Sequence, residues 1–246
     1  MAIFQFGSGV LLGARTDIAN ATPINFGLVQ EVQLDLSYTT KELYGQNQFA
    51  IAVARGTAKM TGKAKMAQIS GLAFNNLFFG MNMSSDYTAS SFGEAATVPA
   101  SSPYTVTAAH VASFVADYGM VYAATGLPLT LVASSPGAGQ YSVSAGTYSV
   151  NADDAGKAVL VNYIYTATGG QKIPLVNQPL GTTPTFSAQL YTSFQGKTVT
   201  VSLYNCVSSK LSYATKLEDF TVPELDFAVF ANAAGNVLDW SFSEAS

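Results

Sequence analysis

Apolar and polar residues alternate without a break from Glu31 to Tyr38, with Val32, Leu34, Leu36 and Tyr38 on one side and Glu31, Gln33, Asp35 and Ser37 on the other. A period of two defines a half-buried β-strand. After a break at Leu43-Tyr-Gly-Gln-Asn-Gln48 the same period resumes over residues 49–67. It places Arg55, Thr57, Lys59, Thr61, Lys63 and Lys65 on one face of a long strand, and Ala54, Gly56, Ala58, Met60, Gly62, Ala64 and Met66 on the other. The spacing then turns helical, with Ile69, Leu72, Ala73 and Leu77 recurring, Ser70 placed to cap and Gly80 to terminate. This predicts one short helix over Ser70–Phe79, with Phe78 and Phe79 as packing residues.

From Ser84 to Ser102 the residues are small and polar and predict a long loop or linker. Beyond it, PLTLVASS, GQYSVSAGTYSV and KAVLVNYIYTATGG read as short strands, divided by turns at Pro136-Gly137, Ala145-Gly146 and Asp153-Asp154-Ala155-Gly156. Longer strands return near the C-terminus. Phe186, Ala188 and Leu190 alternate, a turn falls at Gln195-Gly-Lys197, and Val199, Val201 and Leu203 alternate in the partner, which predicts a hairpin. The apolar phase changes across Pro223, from Phe220 and Val222 to Leu225, Phe227 and Val229, and Asn232-Ala-Ala-Gly-Asn236 turns the chain into a last strand carrying Leu238, Trp240 and Phe242. The expected fold is mainly β with one short helix. Residues 1–98 with 171–246 would form the main domain and 99–170 a small inserted β domain.

A chain of 246 residues buries a sufficient core without disulfides, and Cys206, the sole cysteine, is expected as a small buried side chain. Eleven basic against fifteen acidic residues argue against a general nucleic-acid binder. Only 11% of residues are charged while 48% are hydrophobic. The surface is therefore built from small uncharged residues, as suits extensive subunit contact, because charge is depleted at interface centres; an ordinary low-charge β protein accounts for the composition equally well. The start MAIFQFGSGV has neither the positive region nor the apolar run of a secretory signal, and no stretch approaches the ~18 apolar residues that span a bilayer. A soluble chain made in the cytoplasm, without membrane insertion, is expected.

The stretch ARGTAKMTGKAK resembles a phosphate-binding loop only superficially. Five residues separate Gly56 from Gly62-Lys63, and Ala64 stands where a magnesium-binding hydroxyl belongs. His110, the only histidine, is accompanied by no nucleophile motif, and is expected at the surface or a strand edge. Asp153-Asp154 lacks the oxygen-ligand spacing of a calcium loop and reads as turn-forming. Glu218, Asp219, Glu224 and Asp226 form the one acidic cluster, and a solvated or interfacial strand face explains it better than a glycosidase pair. No enzyme activity, catalytic residue, cofactor or metal is expected. The basic face Arg55, Lys59, Lys63 and Lys65 has threonines rather than aromatics between its charges, unlike a single-strand-binding surface. Its natural partner is the Glu218–Asp226 segment, within one chain or between neighbours.

In order, QEVQLDLSYTTKELYG, the ARGTAKMTGKAKM strand, the helix ISGLAFNNLFFG and the C-terminal strands from NQPLGTTPTFSAQLYTSFQGKTVTVSLYNC to ANAAGNVLDWSF resemble the tail tube (major tail) proteins of tailed bacteriophages. The resemblance implies a β-sandwich or barrel-like protomer, forming hexameric rings that stack into a hollow tube. It implies as partners further copies of the chain, a tape-measure protein and other tail proteins, with genomic DNA passing through the lumen without sequence-specific binding. It also implies a place in the virion tail, after assembly in the cytoplasm of a bacterial host. Most of Arg55, Lys59, Lys63 and Lys65 are then expected to be neutralised by carboxylates at or near subunit contacts, and loops Leu43–Phe49 and Ser84–Ser102 to order on assembly. The inserted module departs from the minimal family pattern. Two further readings stand beside the tube: a related tail ring such as a baseplate hub or terminator, and a module that binds a host-surface glycan through Tyr141, Tyr148, Tyr163 and Tyr165. A polysaccharide hydrolase using the acidic cluster is remote.

Overall fold

A computed structural model describes residues 3–243 of the chain. The fold is mainly β, in two compact units: one built from residues up to Asn82 and from Ile173 onward, the other spanning Met83–Lys172. In chain order the first unit contributes β1 Val10–Arg15, β2 Ile24–Asn25, β3 Val29–Tyr44 and β4 Ala50–Met66. The second contributes β5 Ser84–Thr97, β6 Thr105–Thr107, β7 Phe114–Tyr122, β8 Thr130–Leu131, β9 Gln140–Ser144, β10 Thr147–Val150 and β11 Ala158–Lys172. The chain then returns to the first unit with β12 Thr185–Phe194, β13 Lys197–Ser212, β14 Glu224–Phe230 and β15 Leu238–Phe242.

The first unit is one antiparallel sheet in the order β2-β1-β12-β13-β14-β4-β3. β13 is long enough to bind β15 along Val199–Leu203 and β14 along Asn205–Ser212. The β12–β13 hairpin turns on Gln195 and Gly196, both at positive φ, as a two-residue hairpin loop requires. A turn of α-helix, Gly71–Phe74, widens into a π-helical stretch, Asn75–Phe79. Ser70 caps its start by accepting from the Ala73 N–H, and Gly80 ends it at φ 66. Asn75 is buried and bonds Met81 through both amide atoms, which satisfies the backbone where the helix exits. Ala73 and Leu77 join Leu11, Phe26, Phe186, Leu225 and Phe227 in the core. Cys206 is fully buried there, and burial pushes its thiol up to about 12.

Both glycines of the apparent phosphate loop are explained by strands. A Cβ on Gly62 would stand 2.2 Å from Phe227 Cζ, the ring on the opposed residue of β14. One on Gly56 would stand 2.6 Å from Thr39 Oγ1 on β3. Both positions are filled by cross-strand neighbours and leave no room for a side chain.

The second unit is a β-sandwich. Sheet β5-β11-β7 faces sheet β6-β10-β9-β8 across a core that includes Val98, Met120, Tyr148, Val159 and Tyr163. The β9–β10 hairpin turns on Ala145 and Gly146, again at positive φ. The segment expected as a loop from Ser84 to Ser102 is a strand over Ser84–Thr97, paired with β11 along nearly its whole length, so this unit begins at Met83 rather than residue 99. β5 is an edge strand whose partner supplies most of the apolar surface; its own small polar residues therefore carry a loop composition.

Three carboxylates in this unit are saturated in the same way, each accepting a phenol and a backbone N–H. Asp117 accepts from Tyr141 (2.5 Å), Tyr148 (3.0 Å) and the Gly119 N–H (3.0 Å). Asp154, fully buried, accepts from Tyr122 (2.6 Å), Lys157 (2.7 Å) and the Gly139 N–H (3.0 Å). Glu94 accepts from Tyr163 (2.5 Å), the Ala109 N–H (2.8 Å) and Ser91 (3.0 Å). Burial raises the Asp154 and Glu94 carboxyls, but the donors outweigh it and hold both below the ordinary carboxylate range.

Two outcomes are expected. Gly62→Ala forces the Phe227 ring aside and destabilises the first unit by about 1–3 kcal/mol in urea unfolding, less in a Phe227→Leu background. Glu94 and Asp154 bind protons less readily folded than unfolded, so their stabilisation is present above about pH 4 and lost as pH falls through their lower folded values. Calorimetry between about pH 5 and 2 should therefore record a falling transition temperature, and Glu94→Gln should flatten part of that slope.

Candidate assembly surface

β3 and β4 form a ladder that outruns the sheet. Its inner half, Val29–Leu36 against Met60–Met66, is covered on the β4 side by β14; the outer half, Ser37–Tyr44 against Ala50–Lys59, is a two-stranded ribbon exposed on both faces. Two strands alone in water are marginally stable at best. Yet this ribbon and its connecting loop carry Leu43, Phe49, Ile51 and Val53 with 60–85% of their surface exposed. The outer edge of β3 has no partner strand among the described residues, which leaves a long row of backbone donors and acceptors free. A second exposed apolar feature lies on β15, where Trp240 and Phe242 stack with ring centroids 6.0 Å apart.

Arg55 is not on the lysine face. Gly56 and Thr57 together oppose the single residue Thr39, between the pairs Tyr38↔Ala58 and Thr40↔Arg55. This bulge resets the phase of β4, so Arg55 crosses to the Tyr38 side and its guanidinium sits 4.6 Å from the centre of the Tyr38 ring. Strict alternation, extended through the bulge, assigns Arg55 to the wrong face.

Lys63 and Lys65 lie in a register of alternating charge. Glu31 and Glu224 flank Lys65 on the neighbouring strands, Gln33 and Asp226 flank Lys63, and Lys210 of β13 opposes Asp226. Lys65 bonds Glu31 at 2.5 Å, and Lys63 bonds Glu224 at 2.8 Å with Asp226 Oδ1 at 3.8 Å. That Asp226 oxygen is buried without a hydrogen-bond partner, its charge balanced by Lys63 across the gap. The hydrogen bond to Lys63, aided by its charge, holds the Glu224 carboxyl below its ordinary value. Neither Lys59 nor Arg55 pairs with a described carboxylate.

The acidic cluster divides. Glu224 and Asp226 are on β14 and meet Lys63, whereas Glu218 and Asp219 lie in the loop before it. Asp219 pairs locally with Lys216 at 3.2 Å, and Glu218 has no ion pair among the described residues. Glu31 was missed as a partner; its cross-strand place opposite Lys65 becomes visible only once β3 and β4 are known to pair in this register. Tyr141, Tyr148 and Tyr163 are buried in the sandwich core, so they offer no surface to a glycan. Tyr165 lies under the exposed His110 ring, stacked at 3.8 Å between centroids.

Among the described residues, no three His, Cys, Asp or Glu side chains come together as metal ligands, and no helix is long and apolar enough to cross a membrane. The hollows described are open depressions, one of about 470 Å³ lying beside Leu12, Pro23, Gln189 and Tyr204. No family model matches the chain, and neither does any curated protein compared with it.

Lys63 is the hub of the β14 contact, and its removal tests the charge lattice. Lys63→Met leaves Glu224 and Asp226 adjacent without their nearest cation, so its urea midpoint should fall below wild type most at pH 7. Because Lys63 depresses the folded Glu224 carboxyl, that deficit should close as pH drops toward about 4.

Proposed function

We propose that the chain is the repeated wall subunit of a bacteriophage tail tube, forming hexameric rings that stack around a passive conduit for the genome. The observation that carries this reading is the β3–β4 ribbon: rich in exposed apolar side chains, solvated on both faces and open along its edge, a surface that a copy of the same chain can cover. Cyclic, head-to-tail contacts close a ring, and the same subunit repeated axially lengthens it. Strand addition across subunits satisfies the free edge of β3. Sequence order, rather than any single motif, connects the ribbon, the helix and the C-terminal strands to the tail tube class.

The charge lattice fits a conduit. A wall that binds DNA tightly would impede passage, and Lys63 and Lys65, already paired within the chain, present no continuous basic lining. The lumen would hold a tape-measure protein before ejection and DNA during it, with no sequence readout. Other tail proteins would meet the ends of the tube, in a virion assembled in the bacterial cytoplasm.

Negative-stain microscopy of the purified chain tests the reading. Long hollow tubes are expected. Single rings that never stack would instead identify a terminator or baseplate ring, and a monomer at all concentrations would overturn both. A chain with Phe49, Ile51 and Val53 changed to serine should keep its far-ultraviolet circular dichroism and lose assembly, because these side chains contribute little to the fold of one subunit.

A further inference from the structure

The sandwich unit contains a paired irregularity in the sheet β5-β11-β7. Along β11, Val161 pairs with Glu94 and Met120, and Tyr163 pairs with Ser91 and Asp117. Asn162 therefore opposes two residues on each side: Phe92-Gly93 on β5 and Tyr118-Gly119 on β7. One central residue between two flanking bulges is a coordinated device, and bulges re-aim side chains. Gly93 at φ 69 and Gly119 at φ 104 supply the positive φ that each bulge needs, and a Cβ on either would meet nothing, so conformation alone requires glycine there.

The Asn162 amide bridges both bulges. Its Oδ1 accepts from the Gly93 N–H at 2.8 Å and its Nδ2 donates to the Gly119 carbonyl at 3.2 Å. On the other side of the sheet, Asp117 holds the Gly119 N–H at 3.0 Å while anchored by Tyr141 and Tyr148. These fixed bulges turn Phe92 and Tyr118 outward, 91% and 68% exposed, beside one open hollow of about 320 Å³ that Ser90, Ser91 and Asn162 also line. The core gains nothing from either exposed ring, since Tyr148 and Tyr163 already fill it.

The chemistry of the lining selects a ligand. Two aromatic faces favour a flat ring with apolar C–H faces. Asn162 retains one N–H and one lone pair, and the Ser90 hydroxyl makes no bond among the described residues, so hydroxyl groups can be met as both donor and acceptor. No charged side chain lines the hollow, which leaves an anionic polymer such as nucleic acid without the cations it needs. Strands β5 and β7 lie two interstrand spacings apart, about 9.5 Å, so the two rings address successive parts of a chain rather than one small molecule. We propose that the twin bulges around Asn162 form a binding site for a neutral polysaccharide, with Phe92 and Tyr118 as its stacking platforms.

The test uses the full chain, tethered at low density for biolayer interferometry, against dextran, mannan, galactomannan and soluble starch, with dextran sulfate as the charged comparison. Tethering keeps the readout independent of tube formation, so failure here and failure of the tube reading are separate results. At least one neutral polymer should bind, and a Phe92→Ala, Tyr118→Ala double variant should weaken it at least tenfold at unchanged melting temperature. Asn162→Asp, which replaces the bridging N–H donor, should weaken it too, and Tyr118→Phe should largely preserve it. Binding to none of the neutral polymers, binding to dextran sulfate alone, or undiminished binding by the double variant would each overturn the proposal.

Discussion

The ladder between Val29–Tyr44 and Ala50–Met66 is the constraint on which the first unit depends. At its inner end it joins β14 and through it the whole sheet, with Gly62 giving way to the Phe227 ring and Lys63 tied to Glu224. At its outer end the same two strands have only each other. Backbone groups and apolar side chains that the sheet satisfies elsewhere are left open here, where a two-stranded ribbon has no core of its own to lean on. One element thus spans buried and fully solvated parts of the unit; β14 cover ends at Met60, and the bulge opposite Thr39 lies just beyond, in the exposed ribbon. That bulge also brings Arg55 over the Tyr38 ring, on the face opposite the lysines.

Charge is scarce in this protein, and much of it is committed to particular contacts. Lys63 and Lys65 tie neighbouring strands of the first unit; Asp117, Asp154 and Glu94 gather tyrosine hydroxyls and backbone N–H groups in the second. Burying a carboxylate, fully at Asp154 and partly at Asp117 and Glu94, is tolerable only when its lone pairs are met, and each of these three has three donors. Tyrosine is what makes this possible in a β-sandwich, because its ring packs in the core while its hydroxyl reaches a charge near the sheet margin. The tyrosine-rich strands of the second unit are therefore a structural feature, and the outward aromatic surface comes from Phe92 and Tyr118, which two bulges turn away from the core.

Much of this was legible in the residues themselves. Ser70 and Gly80 bracket the helix as their capping chemistry requires, and the two-residue turns at Gln195-Gly196 and Ala145-Gly146 place their hairpins. The inner ladder and the pairing of Lys63 with Glu224 and Asp226 follow from alternation and opposite charge. Other features were not legible. Ser84–Thr97 has the composition of a loop because a distant strand, Ala158–Lys172, satisfies its backbone. Glu218 and Asp219 are near Glu224 in sequence but stay in a loop, while Glu31, far away in sequence, takes the place opposite Lys65.

The sequence by itself determined the β period, the turns, the helix and the balance of charge, because each depends on a few consecutive residues and on local sterics. Which strands pair, where a bulge resets their phase and which side chains then share a face were decided only by the tertiary structure. A strand's backbone bonds are made with residues far along the chain, and one extra residue in a ladder moves every side chain beyond it to the opposite face. Arg55 and Phe92 owe their positions to such extra residues, and nothing in their immediate neighbours announces it.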